Sequence, residues 1–323
     1  MGIKNFLKNS KLTGKLYARA KDIKNQHLEQ KNLAAHMSLS AQFKDRSNKA
    51  EKLCVILAGY KEFAYPAVFG RIKRFAPGDM DICVVSSGKF SPELDQLCAE
   101  NGWSYLSTKE NNVARIQNTA IWLHPNARYI YKLDEDVFIT EGYFENMLRA
   151  YEHAKTGEYE PGIMAPLLNV NGYAHMRILE RLGLKDVFSQ RFEPIKYMAG
   201  PHRKIENDPE AAKMMWGEGG LVPSIDELNA RFGAEPLEER ACPIRFSIGA
   251  ILFERQLWED MGYLSVDPKG TNMGMDEVEM CSFCLINSRP LMVSENVVAG
   301  HLSFGTQNAP MKAYFEEHTE LFM

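Results

Sequence analysis

From residue 53 to residue 133 short apolar runs alternate with helix-period stretches. Residues 53–58 (LCVILA), 82–85 (ICVV), 103–106 and 129–133 are strand-like, and residues 64–75, 92–100 and 112–123 between them are helix-like. A continuous apolar run needs both faces of its strand covered, and a helix between two strands supplies the crossover that parallel pairing requires. The pattern therefore predicts an α/β domain, a parallel sheet with helices on both faces. In such a sheet ligands bind beyond the carboxyl ends of the strands. After Asp136 the alternation stops: 141–154 is helix-like, 163–167 strand-like, 244–253 strand-like and 255–261 the start of a helix. The stretch 168–243 reads as irregular. At that length it is expected to be functional, shaping a binding pocket.

Charge divides the chain unevenly. Residues 1–52 hold twelve Lys and Arg against four Asp and Glu, a surplus of eight positive charges, and the whole chain is at −4, so the remainder carries −12. An acidic body is a poor surface for phosphate backbones, which excludes nucleic acid as the expected partner. The basic charge has a pattern: Lys4, Lys8, Lys11, Lys15 and Arg19 fall on one helical stripe, with Phe6, Leu16, Tyr17 and Ala20 opposite. Residues 1–25 thus read either as a helix lying on an anionic membrane surface or as a solvated or partner-bound helical tail. No apolar run reaches the roughly 20 residues of a membrane span; the best, near 244–253, contains Arg245. No secretory leader pattern is evident. The expected location is cytoplasmic, with peripheral membrane contact through residues 1–25 as an option. The cysteines at 54, 83, 98, 242, 281 and 284 are accordingly expected as buried thiols, and Cys281-x-x-Cys284 as a core pair rather than a zinc or redox site.

Three clusters carry chemistry. Tyr129-Ile-Tyr-Lys-Leu-Asp134-Glu-Asp136-Val-Phe138 is an apolar strand ending in three acids. Acids crowded at a strand end repel, and Lys132 is the one nearby cation in this stretch, so a divalent metal is the expected relief. Gly274-Met-Asp276-Glu277-Val-Glu279 places acids where a helix begins, fit either for a general base or for dipole stabilisation. His301 follows an apolar strand and can complete an oxygen-rich octahedral site. Dinucleotide-binding, phosphate-loop and nucleophile-elbow templates fail: Ala58-Gly59-Tyr60-Lys61 follows the first strand instead of a glycine-rich fingerprint.

In chain order these pieces resemble the nucleotide-sugar glycosyltransferases of the GT-A fold, most closely family 2. Glu110-Asn111-Asn112-Val113-Ala114-Arg115-Ile-Gln117-Asn118, followed by the strand into Asp134-Glu-Asp136, is similar to that family's E-N-x-G-x-x-x-A-R-N segment and D-x-D; Val113 stands where Gly is usual and Gln117 where Arg is usual. Phe253-Glu-Arg255 through Met261-Gly262-Tyr263-Leu264 is similar to its F-R-R and G-G-F segment, and an acidic pair and a C-terminal His follow in the same order. Lys132-Leu-Asp134-Glu-Asp136-Val-Phe138 also resembles the K-x-D-D-D-V-F of animal β-1,3-galactosyltransferases. The likeness runs over about residues 53–305.

The resemblance implies a Rossmann-like, mixed and mainly parallel sheet flanked by helices. It has an N-terminal helical extension (1–52), a nucleotide-sugar-binding half (53–140), an acceptor and catalytic half (141–308) and a C-terminal tail (309–323). It further implies an inverting transfer from a nucleoside diphosphate sugar, UDP-linked by expectation, to a hydroxyl of a glycan or lipid-linked acceptor. Asp136, with His301 and Asp134, would hold Mn²⁺ or Mg²⁺. Glu277 would be the base, with Asp276 as the neighbouring candidate because the pair is reversed relative to the family. Ala58, Gly59, Tyr60, Ser86, Ser87 and Asp134 would border the nucleotide, and Arg115 and Asn118 would face nucleotide or phosphate. The competing readings are a retaining GT-A transferase and a noncatalytic sugar or membrane-surface module of the same fold.

Overall fold

A computed structural model describes residues 19, 21, 30–200, 202–267 and 274–323. The basic stripe expected within residues 1–25 lies almost entirely outside these described residues, as do residues 268–273.

The first apolar run forms β2 (Lys52–Leu57), buried from Leu53 to Ile56. It lies between two parallel neighbours, β3 (Met80–Ser86) and β5 (Tyr129–Asp134), with Cys54 opposite Ile82 on one side and Tyr131 on the other. β4 (Ser104–Ser107) extends the parallel set, and β1 (Gln42–Lys44) closes the edge antiparallel to it. The helices between these strands start where capping chemistry allows. α1 (Tyr65–Phe75) carries Pro66 in its first turn. α2 (Pro92–Asn101) starts at Ser91, whose hydroxyl accepts the Leu94 N–H at 3.3 Å, and ends at Gly102 with φ 71°, a left-handed stop that a glycine adopts without strain. α3 (Val113–Leu123) is capped by Asn112, whose side chain accepts from Arg115 N at 2.9 Å.

The second half of the sheet is mixed. β6 (Val137–Phe138), α4 (Tyr143–Ala154), β7 (Ile163–Leu168), β8 (Glu239–Ala241), β9 (Ala250–Glu254) and β10 (Leu291–His301) complete the order β1-β4-β3-β2-β5-β9-β7-β10-β6, with β8 on β10. β9 runs antiparallel between β5 and β7, while β7 and β10 are parallel. β2, β3, β4, β5, β7 and β10 therefore point one way, and the expected mixed, mainly parallel, helix-flanked α/β sheet is what the chain forms. Two local expectations need correction. The strand pattern at 244–253 shortens to Ala250–Glu254, which leaves Arg245 outside the strand with its side chain paired to Glu277. The stretch 168–243 is substantially helical, with α5 (Ala174–Leu182), α6 (Lys185–Arg191), α7 (Lys204–Asn207), α8 (Pro209–Met215) and α9 (Ile225–Gly233). Helices this short show too few turns for a clear period. Their signals were the caps, Asp208 before Pro209 and the Ser224 and Glu227 capping box.

Arg255–Asp260 forms α10, Met275–Ile286 forms α11 and Asn308–Glu317 forms α12. Behind β6 and β10 the C-terminal tail packs an aromatic cluster, with Trp216 4.4 Å from Phe322 and 5.3 Å from Phe138 between ring centroids. Gly300 lies flat under it: a methyl group there would overlap three ring atoms of Trp216. Trp216 also donates its indole N–H to the His301 carbonyl at 3.2 Å, so this packing supports the strand end that carries His301. Gly300→Ala is expected to cost about 2–3 kcal/mol, the usual penalty of overpacking a dense core. Chemical denaturation measures it, and an unchanged midpoint would contradict the packing described. Among the described residues no helix is long and apolar enough to cross a membrane, and the cysteines are free, all but the half-buried Cys281 fully buried.

Candidate active site

The three acids after β5 share a strand end and face three different partners. Asp134 accepts from Lys132 Nζ at 2.6 Å. Glu135 turns back to the loop after β2, where it takes the N–H groups of Gly59 (2.7 Å) and Tyr60 (3.0 Å) and the Tyr65 hydroxyl (3.1 Å). Asp136, with 4% of its side chain exposed, pairs with the Lys61 ammonium and lies 3.6 Å from His301 Nε2, both through Oδ2. The register of β6 on β10, Val137 opposite His301, sets that last contact. Lys61, 75 positions earlier in the chain, therefore corrects the expectation that Lys132 is the one cation close enough to relieve these acids.

The charges settle accordingly. Burial raises the Asp134 pKa against the pull of Lys132, and the neighbouring Asp136 adds to the rise. Asp136 is also penalised by burial, but Lys61 and His301 outweigh that and hold it below the usual carboxylate range. Burial pushes His301 below its ordinary value despite the two acids, so its imidazole is neutral near pH 7. Its Nδ1 lies 3.3 Å from the Val170 carbonyl; with the proton on Nδ1 donated there, the Nε2 lone pair faces Asp136. A carboxylate and a neutral imidazole at this spacing fit two positions of a divalent cation such as Mg²⁺ or Mn²⁺. Among the described residues no group of three or more His, Cys, Asp or Glu side chains converges on one point. Asp134 is on Lys132, so the other positions of such an ion would fall to water or to a bound ligand.

Ala58, Gly59 and Tyr60 follow β2 beside Ser86 and Ser87 at the end of β3. Gly59 has φ 137°, a conformation that favours glycine. Tyr60 is 61% exposed, its hydroxyl donates to the Ser87 carbonyl at 2.7 Å, and Lys89 Nζ lies 5.1 Å from its ring centre. The two serine side chains serve the scaffold: Ser86 Oγ bonds Tyr105 Oη at 2.6 Å, and Ser87 Oγ accepts the Asn112 N–H at 2.7 Å. Arg115 stands beside this edge, 3.3 Å from Glu110 and donating to the Met37 carbonyl at 3.2 Å. Asn118 is not brought there. It is 0% exposed, and its amide joins α3 to the Trp258 indole (2.8 Å) and to the Leu264 N–H (3.0 Å) and carbonyl (2.8 Å).

On the opposite side α11 begins at Gly274, with Asp276 and Glu277 in its first turn. Gln117 of α3 donates to Asp276 at 2.9 Å. Glu277 pairs with Arg245 Nε at 2.8 Å and keeps 17% of its side chain exposed. Burial raises its pKa to about 7 against the opposing charges of Arg245 and Lys132, with Asp276 and Glu206 adding to the rise. Lys132, which holds Asp134, thus also acts on the Glu277 carboxylate. Gly249 also belongs here: its carbonyl takes the Asp134 N–H at 2.8 Å, and a Cβ at that position would stand 3.1 Å from Asp134 Oδ2. Of the residues that sequence reasoning missed, Arg245 had a visible signal, a charge inside an apolar run. Lys61, Glu206 and Gly249 had none.

Glu277 has a measurable effect on stability. In the unfolded chain it ionises near 4.5 and in the folded chain near 7, so the folded state loses stability as pH rises across that window and the loss is complete above it. Glu277→Gln is therefore expected to gain on the order of 2–3 kcal/mol on wild type between pH 5 and pH 8. Thermal or urea unfolding at the two pH values measures the difference, and an equal offset at both would contradict a strained carboxylate.

No protein-family model matches the chain, and no curated protein matches it. Among solved structures it is similar to the mannosyltransferase PcManGT from Pyrobaculum calidifontis in complex with GDP-Man and Mn²⁺, at 12% identity and a TM-score of 0.45 over 80% of this chain. The chain spans 58% of the length of that protein.

Proposed function

We propose that the chain is a metal-dependent, inverting glycosyltransferase that moves a sugar from a nucleoside diphosphate donor to a hydroxyl of a glycan or lipid-linked acceptor. One observation carries the reading: a half-buried Glu277 with a pKa of about 7 shares the field of Lys132 with the acids at the strand end. A carboxylate poised near neutral pH suits proton abstraction from a hydroxyl. Residues 53–140 would hold the donor and residues 141–308 the acceptor. UDP is the expected nucleotide.

In this reading Ala58, Gly59, Tyr60, Ser86 and Ser87 would border the nucleotide base, and Arg115 would face nucleotide or phosphate. A Mn²⁺ or Mg²⁺ ion on Asp136 and His301, with Asp134 beside it, would neutralise charge on the leaving diphosphate. Glu277 takes the acceptor hydroxyl proton as that oxygen bonds to the anomeric carbon. The bond from that carbon to the diphosphate oxygen breaks on the far face, the electron pair leaving with the diphosphate, so configuration inverts. The basic stripe within residues 1–25 would hold the enzyme at an anionic membrane surface.

A panel of labelled UDP- and GDP-sugars, assayed for transfer and hydrolysis with Mn²⁺, tests the reading. Turnover of at least one donor with an inverted product supports it. A retained product would remove Glu277 as base, and failure to bind any nucleoside diphosphate would leave the noncatalytic module.

A further inference from the structure

Lys61 is the cation on Asp136, and its position argues for a second task. The loop that bears it is pinned at its start, because Glu135 holds the N–H groups of Gly59 and Tyr60. It is pinned again just after, where Ala64 N–H bonds the Lys61 carbonyl at 2.9 Å. The backbone is thereby fixed while the side chain, 23% exposed, keeps a route to solvent. Its ammonium contacts Asp136 Oδ2, the same oxygen that faces His301 Nε2 at 3.6 Å. A divalent cation held by Asp136 and His301 would compete for that oxygen, and an ammonium and a divalent ion side by side repel strongly in a buried site. One of them has to leave.

Among the described residues the released ammonium finds the neighbouring carboxylates already engaged, Asp134 by Lys132 at 2.6 Å. Glu62 pairs with Lys89 at 3.1 Å, and Glu135 holds the loop and the Tyr65 hydroxyl. An anionic oxygen in the strand-end cleft is the partner that remains in reach.

We infer that Lys61 is a displaceable counter-cation: it occupies Asp136 Oδ2 until a divalent ion takes that oxygen, and then turns to the diphosphate of the donor. This rests on the proposed nucleotide-sugar site, and it orders the steps there, since the cationic contact for the diphosphate is exposed only once the metal is in place.

Calorimetric titration of the full chain with Mn²⁺ alone, then with UDP or GDP at saturating Mn²⁺, tests it in wild type, Lys61→Met, Lys61→Arg and Asp136→Asn. Lys61→Met is expected to bind Mn²⁺ at least about tenfold more tightly than wild type, because one competing charge is gone. Lys61→Arg should stay near wild type. With Mn²⁺ saturating, Lys61→Met is expected to bind the better of the two nucleotides about tenfold more weakly, the worth of one charge-assisted contact. Equal Mn²⁺ affinity in wild type and Lys61→Met, with binding lost in Asp136→Asn, would overturn the inference and leave the metal site standing. Tighter Mn²⁺ with unchanged nucleotide affinity would overturn the exchange of partners. Mn²⁺ binding insensitive to Asp136→Asn, or no nucleotide binding in any variant, would remove the site on which the inference rests.

Discussion

Glu277→Gln is expected to reduce turnover by about 10²–10⁴-fold with little change in nucleoside diphosphate affinity. Glutamine keeps the size of the side chain and its approach to Arg245 but cannot accept a proton. The wild-type rate should rise with pH as the carboxylate ionises, with an apparent pKa near 7, the value that burial sets against Arg245 and Lys132. In the glutamine variant that rise should vanish. Asp276→Asn should cost less, because Asp276 faces Gln117 at 2.9 Å and ties the start of α11 to α3. The opposite ranking would mean that the reversed acidic pair has been aligned one residue out. Near-full activity in both variants would remove the base-assisted mechanism and favour retention. The same substitution is the one expected to stabilise the fold above pH 7, so loss of turnover with a gain in stability separates a poised base from a residue whose removal merely disturbs the structure.

The second large effect is at the strand end. Asp136→Ala should lower nucleoside diphosphate affinity in Mn²⁺ by about two orders of magnitude and abolish the difference between titrations with and without the ion. The substitution leaves Lys61 without its carboxylate partner, so residual metal-free binding of the nucleotide should persist. Calorimetry of UDP and GDP, each with and without Mn²⁺, reads both quantities. Affinity that remains metal-dependent in the variant would move the ion away from Asp136, and equal affinity with and without Mn²⁺ in wild type would remove the metal from the reading altogether.

How far each site residue was legible depends on how local its cause is. Asp134 and Asp136 announce themselves because they end an unbroken apolar strand. Asn118 lies one helical turn from Arg115 on the same helix and looks equally available in sequence. Its burial comes from Trp258 and Leu264, about 140 positions away, which no local pattern encodes. Glu277 is visible as an acid at a helix start, but its raised pKa comes from burial, helped by Asp276 and Glu206 against the opposing charges of Arg245 and Lys132, and apart from Asp276 those groups lie on other segments. The short helices between 168 and 243 fall between these cases, since their caps are local and their period is too brief to read.

The sequence by itself determined the parallel α/β core. Buried strands and their crossover helices are short-range patterns of burial and capping, and each is complete within a dozen or so residues. Only the tertiary structure decided that β9 enters antiparallel between β5 and β7, that β6 pairs with β10 and so sets His301 against Asp136, and that Lys61 sits on that carboxylate. Strand order and ion pairing are settled by which surfaces fit once the chain has collapsed. A charge carries no mark in the sequence of the partner it will meet 75 positions away.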